Sequence, residues 1–152
     1  MVFNLIYLLS LVVWIGSIVF FSFFAAPVIF KTLEREKAGE VVGIIFPRYY
    51  LIGYISGAIA LAILLINSQS FTDIKIVLVF IMLCCSAFAG QIVGPKARGL
   101  KPLIKTEEDP EKLSDLKSKF DRLHSLSVKL NGSVLILGLI LLGYTAKGLS
   151  LS

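Results

Sequence analysis

Four apolar runs govern what this chain can fold into: Val2 to Phe30, Leu51 to Ile66, Ile74 to Val93 and Val128 to Ala146. A helix rises about 1.5 Å per residue, so roughly 20 apolar residues cross a hydrocarbon core of about 30 Å. No water is present there to satisfy an open backbone, so each run must close its own hydrogen bonds as a helix. Three runs have that length as they stand, and the second has it if it begins at Pro47. The expectation is an all-α integral membrane protein, a bundle of four transmembrane helices over about 4–30, 47–67, 73–93 and 124–147.

With 152 residues, 57% of them hydrophobic, the polar remainder suffices only for connections. The chain reads as one membrane domain, 1–152, with no room for a soluble catalytic domain. Its basic residues act as topology signals. Lys31, Arg35 and Lys37 lie between the first two runs, and Lys96, Arg98, Lys101, Lys105, Lys112, Lys117, Lys119 and Arg122 between the last two. The opposite side has only Lys75 and Lys147. The positive-inside bias puts both basic loops in the cytoplasm and both termini outside, in a bacterium across the plasma membrane. Nucleic acid is not an expected partner, because Glu107, Glu108, Asp109, Glu111, Asp115 and Asp121 interrupt the basic stretch. The first run is too long, and too poor in basic residues before it, for a cleaved signal peptide. Cys84 and Cys85 are adjacent within the third run and say nothing about redox compartment.

Along the chain, Pro27 is expected to bend or end helix one, and Thr32 to Phe46 to form a short amphipathic helix at the cytoplasmic interface, segment 32–46. Pro47 is expected to start helix two, whose Gly53 and Gly57, a G-x-x-x-G step, offer a flat face for helix packing. Asn67 to Ser70 read as an outer turn, with Thr72 or Asp73 capping helix three. Gly94-Pro95 is expected to stop that helix and Lys96 to Thr106 to be a loop without periodicity. Asp109-Pro110 is an N-cap with proline at the first helical position, opening a second amphipathic segment over 110–123 striped by Leu113, Leu116, Phe120 and Leu123. The prolines give the two hairpins a faint mutual symmetry of a kind that transporters show.

Aligned by depth, Arg48, Gln91, His124, Ser127, Lys129 and Asn131 collect in the cytoplasmic half, while the outer half keeps mainly Asn4, Ser10 and Trp14. Polar groups in hydrocarbon face a partner, a cavity or the bundle interior. His124, Ser127 and Asn131 fall at i, i+3 and i+7 on one helical face. The functional reading is a pocket for an amphipathic anion, with Arg48, Tyr49, Gln91, His124, Ser127 and Asn131 as ligand-binding residues and Phe20 to Phe24 and Tyr49 or Tyr50 deeper in. The structural reading has Ser127 and Asn131 bonding between helices and Arg48 and Lys129 reaching lipid phosphate. His124, the sole histidine, is the weak metal candidate, with Met82, Cys84 and Cys85 as soft alternatives, and a haem on His124 would need a second ligand of another kind or an open coordination position. No nucleophile and base pair, HExxH or phosphate-cradling loop is present, which disfavours hydrolysis.

Taken together, Trp14-x-Gly16, Phe20-Phe21, Ala26-Pro27-x-x-Phe30, Gly39, Phe46-Pro47-x-Tyr49, Phe120, Leu123-His124-x-x-Ser127 and Asn131 resemble the domain of unknown function 4149 family, which includes transmembrane protein 205. The resemblance runs over nearly the whole chain. It implies a four-helix membrane domain without a settled activity, one member being associated with tolerance to platinum compounds. It also implies distant similarity to copper-resistance membrane domains and to the haem-binding membrane protoporphyrinogen oxidase, whose signature pairs an early histidine with a later lysine. Three functions follow as expectations: binding or transport of a small amphipathic or metal-linked ligand, haem-dependent oxidoreduction, or service as an accessory subunit of a larger membrane complex. Membrane lipids are the expected partners, with a homo-oligomer as an alternative assembly.

Overall fold

The computed structural model describes residues 2–67 and 73–148. Four long helices carry them: α1 Val2–Thr32, α2 Arg35–Asn67, α3 Ile74–Thr106 and α4 Pro110–Lys147, each apolar and long enough to cross a membrane. They form an antiparallel bundle in which each helix packs on its chain neighbour and α4 returns to α1. The expected turn at Ser68 to Ser70 and the alternative cap Thr72 lie outside the described residues. Asp73 does cap α3, accepting from the Lys75 backbone N–H at 2.9 Å. Asp109 caps α4 in the same way, accepting from Glu111 N–H at 3.0 Å.

The core is a single apolar cluster. Tyr7, Leu11, Trp14, Ile15 and Ile18 of α1 meet Tyr49, Tyr50, Ala60 and Ile63 of α2, Leu78, Val79, Met82 and Ala89 of α3, and Val134 and Leu141 of α4. Trp14 takes up the space left by the glycine step. A Cβ on Gly57 would lie 2.7 Å from its indole ring and 2.5 Å from Leu83, and one on Gly53 would lie 2.9 Å from the indole nitrogen. The outside of the bundle is as apolar as the inside, with Phe23 70% exposed and Phe20, Phe24 and Phe80 near 60%. A helix hydrophobic all round is at rest only in lipid, so this is a four-helix membrane bundle.

Pro47 and Gly94-Pro95 behave otherwise than the sequence leads one to expect, and of the two outcomes expected at Pro27 the helix does not end there. α1 runs through Pro27 to Thr32, α3 runs through Gly94-Pro95 to Thr106, and α2 is continuous through Pro47. Residues 35–46 of the expected interfacial segment 32–46 are therefore the first part of α2, Thr32 ending α1, and the expected loop from Lys96 to Thr106 is the last part of α3. A proline ring inside a helix collides with the carbonyl four residues back. In α1 and α3 a π-turn lies just ahead of the proline, Phe21–Ala25 and Phe88–Val93, closed by Ala26 N–H to Phe21 O and by Gly94 N–H to Ala89 O. The wider turn moves the carbonyl aside and lets the helix continue. The symmetry between the hairpins thus has a structural counterpart, since each odd helix carries a π-turn followed by a proline.

Candidate functional site

A cluster of polar side chains bonded between helices lies on α2 and α4, and apart from it Tyr7 of α1 shares a buried bond of 3.2 Å with Thr145 of α4. Tyr49 donates from its hydroxyl to Asn131 Oδ1 at 3.3 Å, and Asn131 Nδ2 donates to the Tyr50 hydroxyl at 2.9 Å and to the Ser127 carbonyl at 3.0 Å. The Tyr50 hydroxyl and Ser127 Oγ share a bond of 3.2 Å. Ser127 and Asn131 stand one helical turn apart, so both side chains reach the same pair of rings. Among the described residues no buried side-chain nitrogen or oxygen lacks a partner.

This cluster sits between the two π-turns. Phe21 opens the first, and its ring lies 5.3 Å from both Phe46 and Tyr49. Gly90 lies in the second, against Tyr50 and Tyr54, closer than any Cβ would allow. Tyr50 stacks between Phe46 at 5.9 Å and Tyr54 at 6.3 Å, and Tyr54 donates to the Ser86 carbonyl at 3.3 Å. Pro27 and Pro95 cannot donate a backbone N–H, which withholds the usual helical partner from the carbonyls of Phe23 and Gln91. Two widened helical turns, a ring stack and an amide therefore meet in one part of the bundle.

Of the residues that the sequence nominates, Tyr49, Ser127 and Asn131 come together. Arg48, Gln91 and His124 do not enter this network. Arg48 is exposed and donates to the Ile44 carbonyl at 3.3 Å on its own helix. Gln91 is exposed, but its side chain lies beside the Tyr54 hydroxyl at the edge of the ring stack, whereas His124 is exposed and stacks on Phe120 at 6.2 Å. The expected aromatic lining from Phe20 to Phe24 reduces to Phe21, because Phe20, Phe23 and Phe24 face outward. Met82 is fully enclosed, its methyl near Gly138, whereas Cys84 is exposed and Cys85 half-buried. Among the described residues no three His, Cys, Asp or Glu side chains stand together for a metal ion. Gly53 and Gly57 serve helix packing as the sequence implies. Tyr50 bonds both Asn131 and Ser127 where Tyr49 bonds Asn131 alone, and its adjacency to Tyr49 at headgroup depth is the sequence signal for it.

At the same end of the bundle the polar extensions of α2 and α3, beyond the apolar stretches, are tied by lysines. Lys105 Nζ lies 2.6 Å from Glu36 Oε1 and 2.8 Å from Glu40 Oε1. Its hydrogen bonds to the two carboxylates raise its pKa, and the bond from Lys105 lowers that of Glu40. Lys101 donates to the Gly39 carbonyl at 2.6 Å and stands 6.0 Å above the Phe120 ring, so it touches three helices. Burial pulls its pKa down, and Glu40 partly opposes this.

The family model of the domain of unknown function DUF4149 matches residues 9–105. The chain belongs to the DUF4149 family. An uncharacterized protein of Aquifex aeolicus (strain VF5) is 42% identical over 94 residues, covering 62% of this chain and 67% of that protein. No solved structure matches. The DUF4149 match takes in α1 from Leu9 on, all of α2 and α3 but for Thr106, with Trp14, both π-turns, Tyr49 and Tyr50. It stops before α4, so Leu123-His124-x-x-Ser127 and Asn131 lie outside it. The α2 half of the cluster is therefore within the DUF4149 domain, and in this chain α4 supplies the other half.

Proposed function

We propose that this protein is a non-enzymatic binding module of the membrane, which holds a small amphipathic ligand in the basic half of the bundle against Tyr49, Tyr50, Ser127 and Asn131. One observation carries the reading: a polar cluster shared by α2 and α4 lies between two π-turns, and π-turns within helices gather at functional sites. Two of its bonds, at 3.2 and 3.3 Å, are long for hydroxyl donors. A ligand hydroxyl or carboxylate that replaces them gives up little, while its apolar part finds Phe21 and Phe46. The cationic residues of the two polar connections favour an anionic head group, and the positive-inside bias puts this end in the cytoplasm.

The test is to extract the protein gently from its own membranes and identify by mass spectrometry the small molecules that remain bound. A near-stoichiometric amphipathic molecule in the wild type, lost in Asn131→Ala and Tyr50→Phe, is the expected result. The same small molecules at the same occupancy in both variants would sink the reading.

A further inference from the structure

The face of α4 turned away from Ser127 and Asn131 carries a second polar surface, unrelated to that cluster. Two adjoining rows at helical spacing, Ser114, Ser118, Arg122, Leu126 and Lys117, Asp121, Ser125, Lys129, line an open trough along the helix. Every lining residue belongs to α4, so nothing in the bundle covers the trough. Among the described residues Lys117, Arg122 and Lys129 make no salt bridge, while the cations that do are Lys37, Lys105, Lys112 and Lys119. Asp121 is the only carboxylate in the trough, so three unpaired cations and three serine hydroxyls face one acid.

Depth decides what such a surface meets. Lys129 stands five residues before Val134, which is already sealed in the apolar core. Its Cβ tilts toward the helix N-terminus, so the ammonium is carried back toward Ser125 and Arg122 and away from the hydrocarbon. Arg122 and Lys129 are separated by about 10 Å along the axis, and both have long side chains that can close on a group between them. Below Lys129 the same face turns small and then apolar: Gly132 has nothing within 4 Å of a Cβ position, and Ile136, Leu139 and Ile140 are exposed. A surface that is cationic and hydroxylic above, and shallow and apolar beneath, has the outline of a phospholipid lying along a helix.

The geometry points to an anionic phospholipid site on the outer face of α4, with the phosphate held by Arg122, Lys129 and the hydroxyls of Ser118 and Ser125, Lys117 adding charge at the rim. An acyl chain runs over Gly132 toward Ile136 and Leu139. The site shares no side chain with the Asn131 cluster, so either assignment can fail without the other.

The experiment reconstitutes the full chain in nanodiscs of phosphatidylcholine alone or with phosphatidylglycerol, and counts retained lipids by native mass spectrometry. Wild type is expected to enrich phosphatidylglycerol, and Lys117→Gln, Arg122→Gln and Lys129→Gln are each expected to weaken retention roughly fivefold. Ser118→Ala with Ser125→Ala, which leaves the charge intact, is expected to weaken it about twofold to fivefold. A control of matched charge, Lys31→Gln, Arg35→Gln and Lys96→Gln, is expected to retain lipid as the wild type does. Equal retention of both lipids, an equal loss in the control, or displacement by millimolar inorganic phosphate would overturn the assignment, the last revealing a free-anion site instead.

Discussion

Asn131 on α4 donates to the hydroxyl of Tyr50 on α2 across 2.9 Å, and the same amide accepts from Tyr49 at 3.3 Å. One side chain thus holds two neighbouring rings of another helix. Interhelical bonds in membranes are modest, about 0.6 kcal/mol on average and at most about 1.7, because the unpacked helices also find partners. Asn131→Ala is expected to cost about 1–2 kcal/mol, since it removes two such bonds. A double-mutant cycle with Tyr50→Phe, read by unfolding in mixed micelles, should give a coupling of roughly 0.5–1.5 kcal/mol. Additive effects would mean that the contact is incidental.

The Trp14 contact sets a different scale. Trp14 is only 2% exposed, and a Cβ at Gly57 would meet both its ring and Leu83 well inside contact distance. Gly57→Ala should destabilise by about 1–3 kcal/mol through overpacking that no neighbour can relieve. Gly16 and Gly132, whose Cβ positions have nothing within 4 Å, should accept alanine with no loss and a gain of up to about 1 kcal/mol from the helix preference of alanine. Thermal unfolding in one detergent orders the three variants.

Much of this was legible beforehand. The four runs give the four helices, the Gly53 to Gly57 step finds its indole, Asp109-Pro110 starts α4, and Ser127 with Asn131 points inward as the spacing requires. Depth was readable because hydropathy reports it; rotation about the axis was not. A π-turn inserts one residue, which rotates everything beyond it by about 100° relative to a straight helix. Gln91 lies within such a turn, at the right depth and exposed, and Arg48 is offset by one residue from Tyr49 on the same helix. At Pro27 and Pro95 the wide turn that lets the helix continue has no periodic signature in the sequence, while Pro47 is carried inside a regular stretch of α2 without such a turn. The lysine tie was illegible because Lys105 is more than sixty residues from Glu36 and Glu40 in the chain and meets them only once α2 and α3 pack.

The tie has a defined pH window. Glu40 titrates below its ordinary value of 4.5, so its contribution is complete above that pH and fades as pH falls through the lowered value. Lys105 titrates above 10.5, so its contribution is complete below that pH and is lost as pH rises through the raised value. Between the two limits, hydrogen exchange over residues 96–106, corrected for intrinsic rates, should be flat with pH. Lys105→Gln should speed exchange there at neutral pH, and 1 M salt should do the same to the wild type. The difference between variant and wild type should shrink once Glu40 is protonated. A difference that persists in acid would show that Lys105 acts through packing of its stem and not through charge.

The orientation of the bundle can be read chemically. Every lysine and arginine except Lys75 and Lys147 belongs to the end that carries the 33–34 and 107–109 connections. If the positive-inside bias governs, that end is cytoplasmic, and Lys147 and Asp73 face outward. In a background of Cys84→Ala and Cys85→Ala, a cysteine at Glu108 should escape a membrane-impermeant maleimide in intact cells and react after lysis. A cysteine at Lys147 should react in intact cells. Glu108 is an exposed position between helices, so labelling there tests sidedness without disturbing a packed contact. The reverse pattern would put the Tyr50 and Asn131 cluster, and the cationic face of α4, on the outer side, where any ligand would have to arrive from outside the cell.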